Sequence, residues 1–477
     1  MKPDVRPCRG PLNRRQWLRV GGISLGALAG GGLPGLSSLF AAESASPKIS
    51  KDFSVILFWA NGGPSHIDLF DLKPYAPAEY RGPFQPIHTN VSGLEINERL
   101  PRLARIADKF ALIRSLQHER NEHSGGTHRF LTGYASKAAN LSDAEFPELG
   151  SVVSKQLLSK QLANRPGEVP PFIANTKFYG GGPAYLGPAH APYMPRPNPL
   201  SSTGANTYDP IPLYPITGSQ DNLSISSEGV LTLRRRSDLL RSLDQLPRQL
   251  DESGTLSAVD SFQERALSML AGERARKAFD IRQEDNRTRD RYGNTHWGKS
   301  LLTCRRLVEA GVRFVQCQAE FRLRPETGRT STWDDHSVNA HIFNAYEEKL
   351  PHLDRSVSAL IEDLYDRGLD KHVLFLFCGE FGRTPRIAYQ DPSGRPGRDH
   401  WSRAMSVLIA GGGLKMGQVI GATNAKAEEP VERAMNSNCL LATIYHRFGI
   451  NPKDSLYDRS GRPLPILPAG EPIRELI

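Results

Sequence analysis

A chain of 477 residues, 39 % hydrophobic and 23 % charged, has the composition of a globular protein, long enough for one large core or two ordinary ones, which excludes a disordered or fibrous chain. The formal net charge of +9 is not a nucleic-acid signature. Lys2, Arg6, Arg9, Arg14, Arg15 and Arg19 against Asp4 alone place +5 of it within residues 1–42, leaving +4 for the remainder and no basic stripe interleaved with aromatics.

In chain order, Arg14-Arg15 stands just ahead of "QWL" and a weakly apolar run from Val20 to Phe40, broken by glycines and Pro34. This pattern resembles a twin-arginine export signal. So many glycines and a proline make a poor bilayer helix, so the segment reads as a leader rather than an anchor. The expectation is a signal peptide over 1–42 that engages the twin-arginine export machinery and is cleaved near Ala42. The mature chain would then be periplasmic or extracellular, with no stable membrane span. Cys8 has no lipobox around it. The widely spaced Cys304, Cys317, Cys378 and Cys439 read as buried thiols rather than disulfides or zinc ligands.

Phe53–Ala60 is almost wholly apolar, as a central parallel strand covered on both faces should be. Leu100–Leu116 gives helical spacing and then a second strand-like run. Pro170–Pro215, dense in Pro, Gly, Asn and Tyr, predicts a loop, and charged helical patterns resume from Leu231 to Phe279. "GKSLLTCRRLVEAGVRFVQC" predicts a helix stopped at Gly311 and a strand Val312–Cys317. The same arrangement recurs as a helix reaching Tyr365, Gly368 as the stop, and a strand Val373–Cys378. Alternating helix and strand predict an α/β fold with a doubly wound, mainly parallel sheet and helices on both faces. A single domain over 43–477 carries a Pro/Gly-rich loop and helical insertion at about 170–295.

Polar groups gather after these strands. The first runs into Asn61, Ser65, His66, Asp68 and Asp71; the strand ending at Cys317 leads on to "WDDHSVNAH", with Asp334, Asp335, His336 and His341. Val373–Cys378 ends in "GEFGRTPR", with Glu380 and Arg383, and "GRDHW" supplies Asp399 and His400. If the strands are parallel neighbours, all of these groups share one carboxyl edge, where α/β enzymes hold ligands. Carboxylates, imidazoles and an Asn suit a divalent ion, with zinc, calcium, magnesium and manganese all open. Each piece also has a plainer reading: Asp334 or Asp399 as a helix cap, Glu380 as the partner of Arg383. His123 and His128 in "NEHSGGTHRFLTG" add two imidazoles beside a glycine pair.

The segment from Tyr346 to Arg383 is similar to the sulfatase segment in which a helix with a central Asp precedes "GL", a strand and a "SDHG" turn, with Glu380 at the Asp position and Phe381 at the His position. "HSGGTHRFLTG" resembles the sulfatase nucleophile segment. The chain as a whole, through "GGPSHIDLFDLKP", "WDDH", "GEFGRTPR", "GRDHW" and "VIGAT", resembles the DUF1501 family, placed with the alkaline-phosphatase-like superfamily. The resemblance implies an alkaline-phosphatase-like core with one or two divalent ions at the carboxyl edge. Asn61, Asp68, Glu380 and His400 match ligand positions, Asp334 and His336 an intervening pair, with Asp399 beside them, and Arg383 an oxyanion clamp.

The departures matter too. The chain has neither C-x-P-x-R nor S-x-P-x-R, so a formylglycine mechanism is excluded, and Phe381 in place of histidine puts a second metal in doubt. The nucleophile position falls near His123, with Ser124 and Thr127 close by; Ser65 or an activated water are further possibilities. The function expected is an exported, metal-dependent hydrolase of phosphate or sulfate esters, on a small-molecule or carbohydrate substrate. The alternative is a non-catalytic metal- or glycan-binding envelope protein. A metal-dependent phosphomutase is a weaker reading, because export separates the chain from cytoplasmic sugar phosphates.

Overall fold

The computed structural model describes residues 52–161, 169–195, 213, 273–328 and 332–477. The leader and most of the 170–295 insertion lie outside the described residues. Apolar runs too short for helices supply the strands of a seven-stranded sheet: β1 (Ser54–Trp59), β2 (Phe110–Leu116), β3 (Phe172–Ala174), β4 (Phe314–Gln318), β5 (Val373–Cys378), β6 (Met405–Gly411) and β7 (Gln418–Ile420). Their order across the sheet is β7-β2-β6-β5-β1-β4-β3. Parallel pairing joins β1 to β4 and β5, β3 to β4, and β7 to β2; β6 runs antiparallel between β2 and β5. The α/β, mainly parallel architecture is thus present, with one reversed strand.

Six helices frame the sheet and the site: α1 (His66–Leu69), α2 (His123–Thr132), α3 (Leu149–Gln161), α4 (His296–Glu309), α5 (Ile342–Asp366) and α6 (Ser437–Phe448). Alternation along β1 divides the core in two. Ile56 and Phe58 face α4 and α5 through Trp297, Leu301, Leu353, Val357 and Leu360. Val55, Leu57 and Trp59 face α2, α3 and α6 through Phe130, Val152, Val153, Leu440 and Ile444. Covering both faces is what makes the central strands continuously apolar. Gly311 and Gly368 follow α4 and α5 with φ of +101° and +68°, the left-handed turn that a β-carbon resists.

Two strands depart from the sequence reading. Phe172–Ala174 lies inside the stretch expected to be a loop, where pairing with Phe314–Gln316 orders three residues too few to show a period. Asp399 and His400 cap no helix: His400–Trp401 pairs with Gly382–Arg383 in a two-residue ribbon that leads into β6. Cys304, Cys317, Cys378 and Cys439 are all free; the first three are buried as expected, whereas Cys439 is only half-buried. Among the described residues no helix is long and apolar enough to cross a membrane.

One buried acid makes stability pH-dependent. Burial lifts the Glu148 carboxyl, at the start of α3, from 4.5 to about 7. A folded-state value above the unfolded one means stability is complete below about pH 4.5 and is lost as pH rises through 7. Glu148→Gln is expected to remove roughly 3 kcal/mol of the fall in stability between pH 5 and pH 8. Denaturant unfolding at both pH values checks it, and an unchanged pH dependence in the variant would refute the assignment.

Candidate metal centre

Register brings the polar loops together. Trp59 pairs with both Gln318 and Cys378, so β1, β4 and β5 end level and release their loops at one edge. Because β6 is antiparallel, it begins where its neighbours end: Met405 pairs with Leu116, the last residue of β2. His400, just ahead of β6, and His123, just after β2, therefore arrive at the same edge.

The loop after β1 turns on Gly62 and Gly63, with φ of +101° and +81°. A β-carbon on Gly62 would stand 2.4 Å from the Asp334 amide nitrogen, and one on Gly63 2.5 Å from the Phe381 ring. Glycine here lets three loops close on one another. Trp333 fixes the middle loop: its backbone N–H donates to the Asn61 carbonyl at 2.8 Å and its indole N–H to Ala319 O at 2.8 Å, while its ring stacks on Trp297 at 5.8 Å. Asp334 follows from this anchor. The fully buried Arg383 donates from Nε to Gly63 O at 2.8 Å, from Nη1 to Arg398 O at 3.0 Å, and from Nη2 to Gly62 O and to Asp334 Oδ1 at 2.6 Å.

Asp334 Oδ1 is the focus. It lies 3.0 Å from His336 Nε2, 3.0 Å from His400 Nε2 and 3.4 Å from His123 Nε2. Each imidazole is held from behind through Nδ1: His123 to Glu380 Oε1 at 2.7 Å, His336 to Asp399 Oδ1 at 2.7 Å, and His400 to the Asn121 carbonyl at 2.6 Å. A carbonyl or carboxylate accepts here, so each Nδ1 carries a proton and the Nε2 atoms face inward. His336 and His400 nevertheless bring their Nε2 atoms within 2.9 Å of each other. Two lone pairs at that distance need a proton or a metal cation between them.

Charge gives the same demand. Glu380 is fully buried; Oε1 accepts from Gly62 N–H at 2.8 Å, while Oε2 has no hydrogen-bond partner. Burial works to raise the Asp334 carboxyl, but the hydrogen bond from His123 and the charge of Arg383 outweigh it and hold Asp334 well below the usual carboxylate range. Burial lowers His123, but bonds to Asp334 and Glu380 overcome that and lift it to about 9. Burial lowers His400, keeping it neutral. Without a metal, the site is thus balanced by Arg383 and a protonated His123. Ligating atoms of His123, Asp334 and His400 all lie within 4.8 Å of one another. One carboxylate with oriented imidazoles fits a borderline divalent ion such as zinc or manganese.

The other sequence candidates sit differently. Asp68 is buried in a two-point pair with Arg398, at 2.7 Å and 3.1 Å, and also accepts from Ser65 Oγ at 2.5 Å. Its carboxylate is directed to Arg398 rather than to the imidazoles. Ser65 N–H donates to Tyr346 OH at 2.6 Å. Asn61 ties in through its carbonyl. Ser124 Oγ, in the first turn of α2, accepts from Leu141 N–H at 2.7 Å, and Thr127 is buried on the same helix. His128 is buried and bonds Gly180 O at 2.9 Å. Phe381, fully buried, packs on His400 with ring centroids 4.5 Å apart.

Three contributors escaped the sequence reading. Arg398 lies within the quoted "GRDHW" and neutralises Asp68. Asn121 orients His400 by its carbonyl and accepts from Ser402 N–H at its side chain, 2.9 Å away. His118 Nε2 donates to Glu380 O at 2.5 Å, fixing the backbone of that residue. For Asn121 and His118 the only signal is the polar run "QHERNEH", which does not distinguish a surface loop from a site.

The family described as "Protein of unknown function (DUF1501)" matches residues 52–477. No curated protein matches the chain. Among solved structures the chain is similar to the PsFucS1 sulfatase from Pseudoalteromonas sp., at 10 % identity and a TM-score of 0.36, covering 87 % of this chain and 70 % of that one. It is also similar to the lipoteichoic acid synthase LtaP from Listeria monocytogenes, at 8 %, 0.34, 84 % and 73 %. A third is the phosphonate monoester hydrolase SpPMH from Silicibacter pomeroyi, at 11 %, 0.35, 85 % and 74 %.

Proposed function

The chain belongs to the DUF1501 family, and on that premise we propose that it is an exported, metal-dependent hydrolase of phosphate or sulfate esters. The observation that carries this reading is the convergence of His123, His336 and His400 Nε2 on Asp334 Oδ1, each ring held from behind. Asp334, His400 and His123 would hold the ion, with His336 beside them. A divalent ion bound there would polarise a phosphoryl or sulfuryl oxygen and lower the pKa of water.

The chain's own residues do the rest. Glu380 and Asp399 keep the Nδ1 protons of His123 and His336 in place, which fixes ring orientation. Arg383 positions Asp334 and the glycine loop, with its donors engaged inside the protein. Ser65 and Ser124 are committed to Asp68 and to Leu141 N–H, which favours water over a hydroxyl side chain as the attacking group. The same commitments favour, as a second reading, a non-catalytic metal- or glycan-binding envelope protein. Elemental analysis of the folded protein, with a screen of chromogenic phosphate and sulfate esters, separates the two. Bound ion with hydrolysis supports the enzyme; bound ion with every ester untouched supports the binding protein.

Export is tested independently. Replacing Arg14-Arg15 by Lys-Lys is expected to leave the precursor in the cytoplasm, because the pathway distinguishes guanidinium from ammonium. Fractionation showing normal export of that variant would reject a twin-arginine route.

A further inference from the structure

A cavity of about 600 Å³ opens beside the helix that carries His123, lined by Asp143, Glu145, Lys177, Tyr185, Asp458 and Arg459. Gly181 and Gly182 complete its wall. The loop that contributes them is fixed to α2. Gly180 O accepts from His128 Nδ1 at 2.9 Å, and a β-carbon on Gly180 would stand 2.2 Å from Ser124 O. Gly182 O accepts from Glu148 N–H at 3.0 Å, at the start of α3. The cavity wall and the first turn of α2, where His123 sits, are packed against each other.

The lining selects a ligand class. Three carboxylates against two cations, with Lys177 already paired to Asp143, disfavour a polyanion, and so many charged groups give an apolar ligand little to bury against. Beside the cavity, Tyr134 and Phe146 stack with ring centroids 3.9 Å apart, and Tyr185 meets Phe146 edge-on at 6.4 Å. Behind Gly181, the buried Glu148 Oε2 has no hydrogen-bond partner and lies 2.7 Å from where a Gly181 β-carbon would stand. Donors and acceptors in near balance match hydroxyl groups, which both give and accept hydrogen bonds, and an aromatic ring matches the C–H face of a sugar.

We propose that this cavity is a subsite for a neutral sugar segment of a glycan whose ester group occupies the His123–Asp334–His400 centre; the second half of that statement rests on the reading of the centre as an ester hydrolase. The test is calorimetric titration of the full mature chain with uncharged cello-, malto- and galacto-oligosaccharides, which need neither ion nor ester. At least one should bind, and Tyr185→Ala should weaken it roughly tenfold. The exposed Asp143→Asn, which removes one lining carboxylate charge and with it the ion pair to Lys177, should weaken it too, while His400→Ala should bind as the parent does. Binding by none of the sugars, or equal binding in both cavity variants, would overturn the subsite even if esters are hydrolysed. Sugar binding lost in the cavity variants, with no ester hydrolysed, would uphold the subsite and remove the hydrolase reading alone.

Discussion

Asp334→Asn is expected to release the divalent ion from otherwise folded protein and to lower ester hydrolysis by roughly a thousandfold or more. The amide keeps an oxygen for Arg383, 2.6 Å from Oδ1 in the parent, so the loop it anchors should persist. What disappears is the negative charge on which three imidazoles converge. His400→Ala should have the same effect on metal content by removing a ligand. Glu380→Gln should be milder, lowering affinity by roughly tenfold to a hundredfold, because it removes the charge behind His123 and Gly62 N–H rather than one of the three atoms that face the ion. Metal content by mass spectrometry, with circular dichroism to confirm folding, decides the matter. Stoichiometric ion in both Asp334→Asn and His400→Ala would end this site assignment.

Asp68→Ala is expected to be the most destabilising single change, at about 3–5 kcal/mol, while leaving metal content unchanged. Removing one partner of a fully buried pair leaves the Arg398 guanidinium charged and unpaired, although its bonds to Tyr80 O at 2.7 Å and Thr384 O at 3.1 Å remain. Replacing both partners, as in Asp68→Leu with Arg398→Met, should recover much of the loss, since two apolar groups incur no such penalty. Denaturant unfolding and elemental analysis of the same preparations separate a structural role from ligation. Loss of the ion at unchanged stability would return Asp68 to the metal site.

Local patterns in the chain were enough for its strongest elements. Val373–Cys378 could be bounded to the residue because six apolar residues lie between His372 and a Gly-Glu pair, and because Gly368 stops the helix before it. The short β3 and the reversed β6 were not legible. Three residues carry no period, and strand direction is not written in strand composition: Met405–Gly411 is as apolar and buried as its parallel neighbours.

The site divides along the same line. The sequence by itself determined the inventory of side chains: acids, imidazoles and glycines clustered after apolar strands, with no formylglycine motif. Tertiary structure alone decided which of them meet. Asp334 and Asp335 are the same residue type at adjacent positions, yet one faces three imidazoles and the other is fully buried against Lys349, at 2.8 Å and 2.9 Å. Asp68 and Glu380, both after buried strands, part in the same way, one to Arg398 and one to His123. A side chain's direction depends on the backbone path through its loop, and that path is fixed by contacts with residues hundreds of positions away, such as Gly62 against Asp334 and Phe381 against Gly63.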